Sequence, residues 1–122
     1  MSHGREYADY LEDILDAMAK AESFVQGMSF DQFATDDKTV FAVIRALEIV
    51  GEAARRIPDS FRSRHPHVPW RLMAGTRDKL IHDYSGVDLR VVWKTVHEDI
   101  PLVRPRIEFI LSDLGPDRVE DT

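Results

Sequence analysis

Three side chains that could act together on a phosphodiester lie within eight residues of one another. Arg77, His82 and Tyr84 form the pattern R-x4-H-x-Y at the end of a stretch with helical spacing. The guanidinium is a permanent cation that can hold a phosphate group. The imidazole changes its charge near neutral pH, so it can give or take a proton. This combination of residue types favours chemistry on a phosphate ester.

Helical spacing decides which of these side chains share a face. At about 100° per residue, Arg77 and Tyr84 lie about 20° apart and about 10 Å from each other along the axis. Both fall on the apolar stripe that carries Met73 and Leu80, whereas His82 lies about 140° from Arg77 and faces solvent. A two-fold dimer through this helix would bring two arginines and two histidines around one cleft, where one imidazole could act as base and the other as acid.

An arginine on an apolar stripe requires an anionic partner, because an isolated buried charge is costly. One interpretation pairs Arg77 with Glu48 or Glu52, which lie at the edge of the apolar stripe of the preceding long helix. The other directs Arg77 into a groove that accepts a phosphate. Both remain open, since a carboxylate could also orient the arginine within such a groove.

The charge distribution indicates one local site for an anion. The chain carries a net charge of −6, but seven basic and two acidic residues occupy the window from Arg55 to Lys79. This window is therefore +5 and the remainder −11. The net charge argues against a protein that coats nucleic acid generally, and the local positive window favours an anionic ligand at one place. The alternative is a solvated segment with scattered charges.

Metal and nucleotide sites of other kinds find little support. His65 and His67 could form a metal pair, but proline separates them, no third ligand is evident, and cysteine is absent. The acidic pairs that could suggest a magnesium-dependent nucleotide hydrolase, Glu12 with Asp16 and Glu48 with Glu52, are incomplete as clusters. Neither a P-loop nor a dinucleotide glycine motif is present. We expect no metal and no cofactor.

The elements that must position the motif are helices. Apolar residues at steps of three and four predict four main helices, over residues 5–26, 37–57, 69–82 and 89–114, in an all-α up-and-down bundle. Residues 29–33 predict a short capped turn, and Asp36 or Asp37 and Asp88 are candidate helix caps. The last helix should be kinked or split near Pro101.

A single domain over residues 5–114 is the expectation at 122 residues, with flexible termini at 1–4 and 115–122. Trp70 and Trp93 are expected to anchor the core or an interface. No apolar run reaches the roughly 18 residues of a membrane span, and no signal peptide is visible. The absence of cysteine is compatible with a cytoplasmic protein.

Several segments of the chain resemble one known family. Residues 77–84, followed by 86–93, look like the HepT-like branch of the HEPN domain proteins. Residues 44–54 resemble the second-helix signature of that family, and residues 68–77 resemble the segment that leads into its motif. The similarity extends from about Tyr7 to Leu111. Relatives often have asparagine in place of Ala46, and glycine in place of Asp83.

The resemblance implies a metal-independent endoribonuclease toxin of a type VII-like HepT/MntA toxin–antitoxin pair. It implies a helical homodimer with a composite cleft and an RNA substrate. Arg77 and His82 match the catalytic pair of the family. Tyr84 matches the tyrosine to which a nucleotidyltransferase antitoxin of the MntA type transfers AMP. Residues expected to support catalysis or bind RNA are Glu48, Glu52, Arg71, Lys79 and Asp83.

A second interpretation of the same residues involves no catalysis. The dimer would then be a nucleotide-binding module or a partner subunit of a minimal nucleotidyltransferase, with Arg77 and His82 binding AMP or ATP. A third interpretation is a purely structural dimer in which the motif ties helices together. Growth arrest on expression of the protein, abolished by Arg77→Ala, distinguishes a toxin from the non-catalytic module. In a purely structural dimer, Arg77→Ala would lower the melting temperature and change little else.

Overall fold

A computed structural model of the chain describes the backbone of residues 3–81 and 88–120, and the side chains of residues 7–76 and 88–114. Within these ranges every regular element is helical, which confirms the all-α prediction. A π-helical segment, Thr95–Asp99, joins the last two α-helices. The α-helices are α1 His3–Phe24, α2 Phe30–Ala34, α3 Asp37–Arg56, α4 Asp59–Arg64, α5 Trp70–Ile81, α6 Leu89–Lys94 and α7 Ile100–Glu120.

Local capping explains where the short helix α2 begins. Gly27 follows α1 with a φ of +79°, a left-handed conformation that glycine adopts without a Cβ clash. Ser29 and Gln32 then form a capping box, in which the Ser29 hydroxyl accepts from the Gln32 main-chain N–H at 3.1 Å and the Gln32 side-chain Oε1 accepts from the Ser29 main-chain N–H at 2.9 Å. The predicted capped turn is confirmed, and its Phe33 is fully buried.

Aspartates cap two further helices, as predicted. The Asp36 carboxylate accepts from the Thr39 N–H at 3.2 Å at the start of α3. The Asp88 carboxylate accepts from the Arg90 N–H at 3.0 Å at the start of α6. Each contact satisfies a backbone donor that has no partner inside its own helix. These contacts fix the beginnings of two of the predicted main helices.

Helix α3 is the centre of the bundle. It packs against α1 on one side and against α5 on another, while α1 also packs against α7. The core includes Leu11 and Ile14 of α1, Leu47 of α3 and Ile107 of α7, each at most 2% exposed. Because α5 lies directly on α3, the helix that carries the start of the R-x4-H-x-Y motif is positioned by the middle of the molecule.

The last long helix contains the irregularity that its prolines predicted. The helical run continues from α6 through the π-helical segment into α7, and the Ile100 N–H donates to the Thr95 carbonyl five residues back. Pro101 follows at once, and it has no N–H to donate. The wider turn therefore lies immediately before the proline, whereas Pro105 lies inside α7 without an interruption.

The helix ends differ slightly from the sequence-based ones. Helix α1 begins at His3, α5 begins at Trp70 with Pro69 just before it, and α7 runs to Glu120, beyond the Gly115 at which a stop was expected. The domain limits at residues 5 and 114 remain predictions. In the part of the chain that is described, the helices are all too short or too polar to span a bilayer.

Candidate active site

The start of α5 is fixed by a buried tryptophan. Trp70 is 5% exposed, its indole N–H donates to the His65 carbonyl at 2.9 Å, and its ring contacts the edge of Phe61 at a centroid distance of 6.4 Å. The Arg106 guanidinium donates to the His67 carbonyl at 2.6 Å and so ties the same loop to α7. Trp70 is therefore a core anchor, as predicted, and it sets the direction in which α5 leaves the loop.

The backbones of Arg77 and Lys79 lie in the second half of α5, which ends at Ile81. Their side chains lie outside the described residues, and so do His82, Asp83 and Tyr84. The structure therefore places the helix that leads into the motif. The contacts of the predicted catalytic pair and of the predicted AMP acceptor remain predictions.

The two glutamates proposed as partners of Arg77 lie on α3 beside another arginine. Arg45 approaches the Glu48 carboxylate at 3.4 Å and the Glu52 carboxylate at 3.9 Å. Ala46, next to Arg45 on the same helix, is 4% exposed and belongs to the core. Both glutamates thus have a cation on their own helix, and the predicted pairing with Arg77 stays untested.

Within the basic window, the described arginines divide into two groups. Arg55, Arg56, Arg64 and Arg71 are exposed, and Arg55 also donates to the Ala74 carbonyl of α5 at 3.4 Å. Arg62 instead lies against the end of α3. The exposed group lies at the end of α3, the end of α4 and the start of α5, and we call these four residues the arginine face.

Arg62 performs a structural task that the sequence did not indicate. Its Nε donates to the Ile57 carbonyl at 2.9 Å, and its Nη2 donates to the Ala54 carbonyl at 2.6 Å. The last carbonyls of a helix have no partner within that helix, and the helix dipole favours a cation beside them. Arg62 therefore caps α3 from α4, and its charge is not directed toward a ligand.

The histidine pair adjacent to α5 stacks on aromatic neighbours. His65 lies on Phe61 at a centroid distance of 4.7 Å, and its ring is 6.1 Å from that of His67. Burial lowers the pKa of His65, and the nearby His67 and Arg64 lower it further. Among the described residues no group of three or more histidine or acidic side chains could hold a metal ion. Asp16, from one of the suggested acidic pairs, instead forms an ion pair with Lys20 at 3.0 Å.

A groove that the sequence did not indicate lies beside the motif helix. It has a volume of about 270 Å³ and runs between α5 on one wall and α6 with the π-helical segment on the other. Gly75 and Thr76, the two residues before Arg77, line the first wall; Lys94 and Asp99 line the second. The only sequence signal for it is the glycine inside a helix, because the walls of the cavity come from helices that are distant in the sequence.

Comparison with known proteins identifies the family. The family model described as "Ribonuclease HepT-like" matches residues 14–110. The chain belongs to the HepT-like ribonuclease family. The matched range contains α3, α5 and every residue that lines the groove. It also contains the R-x4-H-x-Y motif, so the resemblance stated from the motif is confirmed.

Individual proteins to which the chain is similar are also named as ribonucleases. The chain is 56% identical to the protein of Thermococcus cleftensis named "Probable ribonuclease HepT" over 104 residues, which are 85% of this chain and 94% of that protein. It is 41% identical to a candidate RNase of Methanocaldococcus jannaschii over 90% of this chain and 95% of that protein. A candidate RNase of Caldanaerobacter subterraneus is 43% identical over 84% of this chain and 92% of that protein. No solved structure gives a significant match.

Proposed function

We propose that the protein is a metal-independent endoribonuclease in which His82 moves the proton and Arg77 holds the phosphate. The observation that carries this proposal is the R-x4-H spacing within a chain of the HepT-like ribonuclease family. The ribose 2′-hydroxyl attacks the adjacent phosphorus, the bond to the 5′-oxygen breaks, and a 2′,3′-cyclic phosphate and a 5′-hydroxyl result. One imidazole accepts the proton of the attacking hydroxyl, and an imidazolium protonates the leaving oxygen.

RNA supplies its own nucleophile in this reaction, so the protein needs neither a reactive serine nor a cysteine. General acid–base catalysis by His82 would contribute about 10² to 10⁴ in rate. The Arg77 guanidinium would stabilise the charge that develops on the phosphate oxygens. The arginine face supports this proposal, because its four exposed cations are available to RNA phosphates near the ends of α3 and α4 and the start of α5, on a chain that is acidic as a whole.

The test measures cleavage of a labelled single-stranded RNA by the purified protein in excess EDTA. We expect cyclic-phosphate products, and a loss of at least about 100-fold in rate for His82→Ala and for Arg77→Ala. His67→Ala and Arg90→Ala are matched controls, because both side chains are exposed and lie outside the motif. Full cleavage by His82→Ala, or dependence of the wild type on an added metal, would refute the proposal.

The same proposal includes a homodimer and a toxin neutralised by AMP transfer to Tyr84. Two copies of the pair would supply the base and the acid that one protomer cannot place together. AMP on Tyr84 would put a negative phosphodiester near the anion site and repel RNA, as phosphorylation does elsewhere. The partner would be a nucleotidyltransferase antitoxin of the MntA type, and the toxin would act in the cytoplasm.

Cell growth and solution mass test this part separately. Expression of the wild type alone should arrest growth, and co-expression with the nucleotidyltransferase should restore it. Tyr84→Phe should still arrest growth in the presence of the antitoxin, so silencing of that variant would show inhibition without modification. Absence of growth arrest, together with nucleotide binding that Arg77→Ala abolishes, would favour the non-catalytic module. Light scattering that shows a monomer would contradict the composite cleft.

A further inference from the structure

The packing of the described residues does not explain the glycine beside the motif. Gly75 lies inside α5, where glycine costs about 1 kcal/mol relative to alanine. A Cβ built on it would meet no atom within 4 Å. The described bundle therefore gives no steric reason for glycine at this position. Something from outside the fold that approaches the backbone closely would supply one.

The opposite wall of the groove carries an exposed lysine and a half-buried aspartate. Residues five apart in a regular α-helix lie about 140° from each other. In the π-helical segment the hydrogen bonds span five residues, so Lys94 and Asp99 come onto the same side and both line the groove. Neither forms an ion pair with another described residue.

The hydroxyl groups in the groove add acceptors rather than donors. Thr76 donates its hydroxyl proton to the Leu72 carbonyl at 3.1 Å, and Thr95 donates to the Val91 carbonyl at 2.8 Å. Each hydroxyl thus presents its lone pairs to the cavity. With the Asp99 carboxylate, the polar groups of the groove are three acceptors and one cation. The floor is apolar, since Leu47 and Val92 are buried there.

These features exclude some ligands and favour one. A free phosphate would meet the Asp99 carboxylate, so Lys94 alone does not make an anion site. A flat base with N–H groups on its edge suits acceptors over an apolar floor. The volume, below the roughly 300 Å³ at which sites for whole small molecules begin, is suited to a single base. Guanine carries two neighbouring N–H groups on one edge, and a single carboxylate can accept a hydrogen bond from each. Uracil has only one N–H group on its edge.

We propose that the groove between α5 and the π-helical segment binds a guanine base of single-stranded RNA. Asp99 accepts from the base edge, Lys94 contacts a flanking phosphate, and Gly75 lets the base approach the backbone of α5. This inference rests on the proposed ribonuclease function, which it deepens by naming the base beside the cleaved bond. A splayed, unstacked base is the usual target when proteins recognise RNA sequence.

The test measures binding by fluorescence anisotropy at one fixed salt concentration. The probes are 12-residue 2′-O-methyl RNAs of uridine with one central guanosine, adenosine or cytidine, or with none; they lack the attacking hydroxyl. We expect the guanosine probe to bind the wild type about tenfold more tightly than the all-uridine probe. Asp99→Asn should abolish this preference. Glu98→Gln is the matched control, because it removes the same charge from the same segment outside the groove.

A second pair of variants tests the glycine. Gly75→Ala and Gly75→Leu both favour the helix, so both should melt at or above the wild-type temperature. Only the leucine is large enough to fill the groove, and it should remove the guanosine preference while the all-uridine probe still binds. Retention of the preference by Gly75→Leu, or by Asp99→Asn, would overturn the inference. So would a change of oligomeric state in Gly75→Leu, since the groove would then contact a second copy of the chain.

Ribose-containing probes separate this inference from the proposed catalysis. Guanosine-dependent binding that needs Asp99, without cleavage of the ribose probe, would support the groove and count against the ribonuclease mechanism alone. Cleavage that depends on His82 but shows no base preference and no effect of Asp99→Asn would support the mechanism and refute the groove. Cleavage next to guanosine that moves or disappears in Asp99→Asn would support both.

Discussion

Replacement of Arg62 by alanine tests whether this arginine stabilises the fold, in contrast to the exposed arginines of the basic window. In the sequence Arg62 is one of seven basic residues between Arg55 and Lys79, with nothing to set it apart. In the structure it donates to two main-chain carbonyls at the end of α3. We therefore expect Arg62→Ala to affect folding and to leave RNA binding unchanged.

The magnitude follows from the two hydrogen bonds. A hydrogen bond to a charged group contributes about 1.5 to 3 kcal/mol, and because both bonds are only partly buried we take about 1 to 1.5 kcal/mol for each. The variant should lose about 2 to 3 kcal/mol of unfolding free energy. With an unfolding entropy of about 2.1 cal/mol/K per residue, a chain of 122 residues melts about 8 to 12 °C lower.

Arg64→Ala is the matched control, since it removes the same charge two residues away. Arg64 is exposed, and its described contact is with the face of the Phe61 ring, 5.6 Å from the centroid. Such a contact contributes about 0.5 to 1 kcal/mol at an exposed site, so the melting temperature should fall by less than about 4 °C. Calorimetry at neutral pH measures both variants.

For RNA binding we expect the opposite: Arg64→Ala should have the larger effect. For a single strand, each phosphate contact contributes about 0.7 to the slope of log affinity against log salt. Arg64→Ala should lower this slope for the 2′-O-methyl probe by that amount, and Arg62→Ala should leave it unchanged. Equal melting temperatures for the two variants, or a reduced slope for Arg62→Ala, would refute the assignment of Arg62 to the fold.

Three further predictions concern stability. Gly75→Ala should raise the melting temperature by about 4 °C, because an interior helical glycine is replaced where a Cβ meets open space; a decrease would show that the space is occupied. Ser29→Ala should cost about 1 kcal/mol in urea unfolding through loss of the capping box, and no change would contradict that role. His65 has a lowered pKa in the fold, so the unfolded chain binds more protons below about pH 6.5, and stability should decrease as the pH falls through that range. His65→Gln should flatten this dependence in melts at pH 7.5 and 5.5, and an unaltered slope would contradict it.

Helix boundaries were predictable because the signals that set them are local. Ser29, Asp36 and Asp88 cap the helices that follow them, and Gly27 adopts the left-handed conformation after α1. Each of these contacts spans at most three residues, so the sequence contains both partners side by side. The prolines of the last helix likewise indicated an irregularity, although not its π-helical form.

The tertiary features could not be predicted in the same way. Arg62 caps a helix five to eight residues behind it, and this depends on the turn that Pro58 allows between α3 and α4. The groove exists because α5 is separated in space from its opposite wall, which comes from α6 and the π-helical segment about twenty residues further along the chain. A helical wheel treats each helix alone, so it identified Arg77 but not the cavity that begins two residues before it.

Asp99 is the residue whose role decides how an acidic chain could bind RNA. At physiological ionic strength the screening length is about 8 Å, so a carboxylate repels RNA strongly only where it lies close to the strand. Asp99 lies in the groove itself, where it would face an RNA strand directly. A carboxylate there lowers affinity unless it accepts hydrogen bonds from the ligand, so its effect should depend on the base. If Asp99→Asn strengthened binding of every probe equally, the carboxylate would be only a repulsive charge, and the preference for guanine would have no source in this structure.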